Sequence, residues 1–549
     1  MVFLFTFTAF LAALLLFSVQ PLVARLILPS LGGSPAVWNT SMVFFQAVLL
    51  GGYLYAHALG LRLQISRKAL WAHAALLLLP LPFLPLAVPP DLAPPASSQP
   101  LWWLLGVLTA CVGAPFFVLS TSSPLLQRLF ALTSHRHARD PYFLYAASNA
   151  GSLIALLSYP LVFEPNLALG QQTRVWAALY GLFVLCLWSC AFAVWRAPRG
   201  PSEGVQEAPA APISPRRVGR WLVLALVPSS LMLSVTTYLS SEVAAIPLLW
   251  IVPLSLYLLS FMVVFARRPL VPPAFWARAL AIFILPLVVA IAGRAGEPLL
   301  LLVILHLGVF FLACVVCHGE LARDRPPASQ LTQFYGWMAL GGVIGGALNA
   351  LTAPLLFSDV LEYPLSLVAL VALLPRDLLV SGRKTDNKTV ESRAQILDWV
   401  LPLGVGAGCF GLVQWLQSRG LESGPAALGL MFGVPAIISF AFSRRPLRFA
   451  LAIGAILWCG TFYRAGLSSG FLREARSFFG VHRVLLSPDR KWVLLTHGAT
   501  NHGVQRAAGN GTMKQRLDPV SYYSRRGPAG DIIAAARARK PDLRVAVIG

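Results

Sequence analysis

Charge is what this sequence has least of. Only 12% of its 549 residues are Asp, Glu, Lys or Arg, about half the share in an ordinary soluble domain. With 57% hydrophobic residues and a mean hydropathy of +0.71, a soluble globular protein would need an enormous core. Repeated apolar stretches of about 20 residues explain the composition directly. The seven cysteines (Cys111, Cys186, Cys190, Cys314, Cys317, Cys409 and Cys459) all lie in apolar stretches, which excludes a disulfide framework. The first apolar stretch, Phe3 to Val23, has no basic region before it and no small-residue cleavage site after it. It reads as a retained span, not a removable signal peptide. Charges inside the apolar segments are scarce, which argues against a relay of buried carboxylates.

What is present is a succession of about 14 or 15 segments long enough to cross a bilayer of about 30 Å. They begin at Phe3, Val37, Leu70, Leu101, Phe143, Val175, Trp221, Val243, Phe275, Leu299, Phe334, Leu365, Leu397, Ala426 and Leu447. The chain carries 43 Lys and Arg against 21 Asp and Glu, a net +22. Much of that surplus sits in alternate loops, as in Arg62/Arg67/Lys68, Arg216/Arg217, Arg267/Arg268, Arg323/Arg325 and Arg444/Arg445/Arg448. The positive-inside rule then places these loops and the N-terminus in the cytoplasm. The charge therefore reports topology, and nucleic acid is not an expected partner. A fifteenth crossing would deliver the basic tail, with 15 Lys/Arg and 5 acids after Tyr463, to the opposite side. If the tail is cytoplasmic, either Leu365–Val380 or Leu447–Phe462 does not cross.

The Pro-, Ala-, Gly- and Glu-rich stretch Ala197 to Pro215 reads as a linker and divides the first twelve spans into six and six. This gives units at 1–195 and 221–382 joined by 196–220, additional membrane helices over 383–463, and a soluble tail over 464–549. Gly151, Pro160 and Phe163 of the fifth span recur as Gly345, Pro354 and Phe357 of the eleventh at the same separations. Helices six apart that match in this way suggest parallel repeats, as in transporters built from duplicated units.

Other motifs have plain structural readings. Cys314-Val-Val-Cys317-His318 has the form of a haem-attachment sequence, but it closes an apolar helix beside a loop read as cytoplasmic. No second ligand pair for zinc is apparent, so no metal site is expected. Gly341, Gly342, Gly345 and Gly346 form two overlapping G-x-x-x-G patterns suited to close helix packing. Glu242 follows Thr236, Thr237, Ser240 and Ser241 and reads as an interfacial carboxylate, with cation binding in a cavity as the alternative. Gln20, Asn39, Gln46, Asn149 and Asn349 are the remaining polar candidates.

In the tail, Phe478–Leu486 and Lys491–Thr496 read as strands around a turn, and Asp531–Arg539 as a helix. Arg544 to Ile548 reads as a buried parallel strand running into Gly549, the opening of a nucleotide-binding turn. The expected fold is an all-α polytopic membrane protein, a small β-rich segment, and the first strand of a truncated Rossmann-like domain.

The sequence resembles the bacterial membrane proteins in which a major-facilitator-like helical region is fused to a spermidine synthase-like domain. The resemblance is carried by Leu31-Gly-Gly-Ser-Pro-Ala-Val-Trp-Asn39, Asp140-Pro-Tyr-Phe-Leu-Tyr-Ala-Ala-Ser-Asn149 and Cys317-His-Gly-Glu-Leu-Ala322 in the membrane region. In the tail it is carried by Arg476-Ser-Phe-Phe-Gly-Val-His-Arg483, His497-Gly498, His502-Gly-Val-Gln505, Tyr522-Tyr523 and Gly527-Pro528. It implies a link to polyamine metabolism, with Gln505, Tyr522 or Tyr523 near the substrate. It also implies that S-adenosylmethionine or its decarboxylated form binds where Gly549 begins the turn.

Aminopropyl transfer needs a neutral amine aligned on the carbon beside a sulfonium, with a carboxylate as base, and the tail offers no base in a suitable context. The transferase is therefore expected to be inactive without a continuation or a separately encoded second half. Two other functions stay open: a major-facilitator-like transporter of a polyamine or another small solute, and a non-catalytic membrane scaffold.

Overall fold

The computed structural model describes all residues except 66–68, 90–99, 132, 134, 136–141, 197–211, 244–247, 266–270, 327–329, 377–387, 464–469, 488, 499, 541 and 545–549. The strand expected over Arg544–Ile548, and Gly549 with it, lies outside the described residues except for Arg544.

Ten of the described helices are long and apolar enough to cross a membrane, and five shorter apolar helices complete the expected set. In chain order the first unit holds α1 (Val2–Leu31), α2 (Pro35–Leu61), α3 (Leu70–Phe83), α4 (Leu101–Ala131), α5 (Phe143–Asn166) and α6 (Leu169–Arg196). The second holds α7 (Pro215–Val243), α8 (Ile251–Val264), α9 (Pro273–Ala292), α10 (Leu299–Arg323), α11 (Thr332–Leu356) and α12 (Glu362–Ala372). Three more follow: α13 (Gln395–Ser418), α14 (Pro425–Phe440) and α15 (Pro446–Gly460). Large apolar side chains such as Phe3, Trp102, Leu300 and Leu355 point outward from the bundle, where a bilayer and not water is the solvent for them.

The two units repeat one packing plan. In the first, α1 packs against α4, α5 and α6, and α2 against α4; in the second, α7 packs against α10, α11 and α12, and α8 against α10. The units meet through α2 against α11 and α8 against α5, which is one contact made twice under a two-fold exchange. The matched glycines explain the closest pairs. A Cβ at Gly151 would strike the Phe10 carbonyl of α1, and one at Gly345 would strike the Leu226 carbonyl of α7. Only glycine lets backbones approach this closely. Both helices then widen into a π-turn beside their prolines, at Tyr159–Phe163 and Leu348–Thr352, which accommodates the lost proline N–H. Of the G-x-x-x-G rows, Gly341 and Gly345 face α7, whereas Gly346 faces Gln46 of α2.

Salt bridges fix the ends of the bundle. At the start of α7 and the end of α10, Arg217 pairs with Asp324 at 2.9 Å and Arg220 with Glu320 at 2.5 Å, marking the end that carries the basic loops. The chain leaves α15 at the other end, where Gly460 lies against Ala292 at the close of α9. With α15 helical from Pro446 and paired at its start through Arg448 to Asp398 at 2.9 Å, the tail leaves the bundle at the end opposite the Arg217–Asp324 pair. At about 1.5 Å per residue, the 11-residue α12 is only about 16 Å long, about half a bilayer.

The tail folds into a four-stranded antiparallel meander, β1 (Gly470–Ser477), β2 (Gly480–Leu486), β3 (Trp492–His497) and β4 (Thr500–Arg506), in sequential order. The two expected strands are β2 and β3, and β1 and β4 flank them. The expected helix is α16 (Pro528–Arg539).

Candidate functional site

A cavity of about 230 Å³ lies on the seam between the units. Its walls come from α1, α2, α4 and α5 on one side and α7, α8 and α11 on the other. The polar lining is uncharged: the amides of Gln20, Gln46 and Asn149, and the hydroxyls of Ser120, Ser123, Ser148 and Ser152. Aromatic rings supply much of the rest, among them Tyr53, Tyr145, Tyr257 and Tyr335. Among the described residues the lining includes no Asp, Glu, Lys, Arg or His.

Three of the five polar candidates therefore meet in one place. Gln20 is buried with no partner on its Oε1. The Gln46 Nε2 donates across the seam to Ser229 Oγ at 3.1 Å, and its Oε1 is likewise unpaired. The other two tie helices together: Asn39 Nδ2 donates to Thr237 Oγ1 at 2.8 Å, and Asn349 Nδ2 to Ser230 Oγ at 2.5 Å. The serines and tyrosines of the lining were not singled out from the sequence. A signal existed on α5, where Tyr145, Ser148, Asn149 and Ser152 follow the i, i+3, i+4, i+7 spacing of one helix face.

The cavity is unevenly placed along the bundle. Tyr145 and Tyr335 lie about one turn from the basic-loop ends of α5 and α11. Toward the other end the units touch directly. Trp38 of α2 stacks on Trp250, just before α8, with centroids 3.4 Å apart, beside the Asn39–Thr237 bond.

The sheet docks at that same end. Arg476 of β1 is 7% exposed and grips Glu362 through both terminal nitrogens, at 3.0 and 2.6 Å, while donating to the Asp359 carbonyl at 2.8 Å. Arg483 of β2 is 9% exposed and faces three carboxylates: Glu474 at 2.8 Å, Glu242 at 2.9 Å and Asp359 at 2.6 Å. Burial alone would lower the Arg483 pKa, but Glu242 and Asp359 outweigh it and hold the guanidinium charged. Glu242 is thus an interfacial carboxylate committed to the tail, and the cavity lining does not include it. Phe478, at the β1–β2 turn, packs on the core of the first unit, so the sheet touches both sides of the seam.

The residues placed near a transferase substrate lie elsewhere. Gln505 is exposed and donates to the Arg516 carbonyl at 3.2 Å. Tyr522 donates to the His502 carbonyl at 2.8 Å, and its ring lies 4.4 Å from that of Tyr523. Gln505 belongs to β4, and Tyr522 is bonded to that strand. His482, His497 and His502 form a row of rings 4.5 and 5.8 Å apart. Among the described residues, no group of three His, Cys, Asp or Glu is arranged to hold a metal ion. Burial, and then the neighbouring His482, push the His497 pKa below its ordinary value. Cys314, Cys317 and His318 are packed away inside α10, with His318 bonded to Ser260 at 2.7 Å and its ring 3.7 Å from that of Phe261.

No family model matches the sequence, and no curated protein does. Among solved structures the chain is similar to the xylose transporter XylE from E. coli in its inward-open conformation. The TM-score is 0.44 at 14% identity, covering 71% of this chain and 98% of that one.

Proposed function

We propose that the chain is a membrane transporter of a small solute that works by alternating access. The observation that carries this reading is the cavity on the seam between two units built on one packing plan. Repeated helical units that rock about a central site are the architecture of secondary transporters. The Trp38–Trp250 stack and the Asn39–Thr237 bond close one end of the seam, and the cavity extends toward the other. By the positive-inside rule that second end faces the cytoplasm of a bacterial inner membrane, which makes this an inward-facing arrangement. The sheet docks at the opposite end, so the same orientation places it outside the cytoplasm. The transferase reading keeps only the motifs of the tail, whose candidates Gln505 and Tyr522 are spent on bonds within it.

The test is accessibility from both faces. Ser123→Cys should react with a membrane-impermeant maleimide in right-side-out and in inverted vesicles, measured against the parent chain. Cross-linking cysteines placed at positions 38 and 250 should abolish the reaction from the sheet side alone. Labelling confined to one face with the cross-link absent defeats the transporter reading.

A further inference from the structure

We infer that the cavity on the seam selects an uncharged solute that donates hydrogen bonds and presents a flat face, of the nucleoside class; this rests on reading that cavity as the transport site. Two observations carry it. The first is the polar complement of the site. Gln20 is 4% exposed, lines the cavity and leaves its Oε1 without a partner, as Gln46 does. A buried amide oxygen without a donor is costly, and a ligand N–H or O–H satisfies it. The serine hydroxyls of α4 and α5 accept or donate as needed, so several hydroxyls on one ligand find partners.

The second observation is electrostatic. A polyamine or an amino acid brings full charges, and a charge taken from water into a low-dielectric site needs an opposite charge or a dense set of dipoles. Among the described residues the lining has no ionised side chain to provide one. Glu242, Asp359 and Glu362 lie outside the cavity lining and pair with Arg483 and Arg476 at the sheet. The polyamine expected from the sequence is therefore a poor fit to this site. Tyr53, Tyr257 and Phe261 instead give the apolar surface a planar ring needs.

The experiment compares uncharged nucleosides with an anionic nucleotide and a cationic polyamine. The full chain in nanodiscs is titrated with uridine, adenosine, uridine monophosphate and spermidine, with thermal stabilisation as the readout. Uridine counterflow is measured in proteoliposomes in parallel. Saturable stabilisation by uridine or adenosine, at least about tenfold tighter than by uridine monophosphate or spermidine, is the expected result. Gln20→Leu should weaken it by about tenfold, the worth of one hydrogen bond to a buried group. Asn510→Ala in the tail should leave it unchanged. Saturable spermidine or uridine monophosphate binding without a nucleoside preference overturns the inference, as does the absence of stabilisation by both nucleosides. Nucleoside binding without counterflow supports the ligand class and defeats the transport reading; counterflow of spermidine alone does the reverse.

Discussion

In the first unit Gly151 of α5 rests on the Phe10 carbonyl of α1, and in the second Gly345 of α11 rests on the Leu226 carbonyl of α7. The units are otherwise dressed differently. The second is tied at the basic-loop end by Arg217, Arg220, Glu320 and Asp324, and at the other by Arg476, Arg483 and their carboxylates. It also carries α13 to α15, with α15 packed on α9 and α12. In the first unit Arg25 and Glu164 make a pair at 3.2 Å that is 41% and 27% exposed. A repeated backbone plan fixed which helices touch, and among the described residues the buried ion pairs fall on the second unit. On the transporter reading proposed above, the first unit would be the one that moves against a braced partner.

The strongest way to break that comparison is Arg483→Ala. Removing the cation leaves Glu242, Asp359 and Glu474 facing one another in a half-dry interface, a loss of about 3–5 kcal/mol. Hydrogen exchange should show β1 and β2 losing protection while α1 and α5 keep theirs. Equal loss in both units would show that the sheet braces the whole bundle and not one half. Next in size are Gly151→Leu and Gly345→Leu, each forcing apart a helix pair for about 1–3 kcal/mol or more. Thermal unfolding of the purified chain should fall by similar amounts in the two variants. A large effect in only one of them breaks the equivalence of the pairs.

Acid sharpens the contrast further. A histidine whose folded pKa lies below its unfolded value stabilises the fold fully above the ordinary value near 6.5 and loses that stability as pH falls below it. His497 is in that position, so strand protection in the sheet should fall on acidification below about pH 6.5. His497→Gln should flatten the profile. The smallest effect belongs to Arg25→Ala, an exposed pair worth less than about 1 kcal/mol. A melting shift as large as that of Arg483→Ala would mean that the first unit is braced too.

Ten of the helices were legible because each is a window of apolar residues matched to bilayer thickness, and the Gly and Pro spacings shared by the fifth and eleventh spans mark the same close helix contacts in both units. The sheet was half legible: alternation and turn residues mark β2 and β3, whereas β4 (Thr500–Arg506) has too little apolar alternation to stand out. The cavity was mostly illegible. Gln20 and Gln46 are conspicuous in an apolar helix, but Tyr53 or Tyr257 among leucines reads the same whether it faces lipid, core or a void.

The sequence by itself determined the polytopic helical class and the order of the apolar helices, because these follow from local windows. Only the tertiary structure decided where the tail sits and what the cavity is made of. Arg483 lies 241 residues from Glu242 and 124 from Asp359, and the cavity draws its lining from seven helices. Side chains so far apart along the chain acquire a common purpose only when packing brings them to one seam.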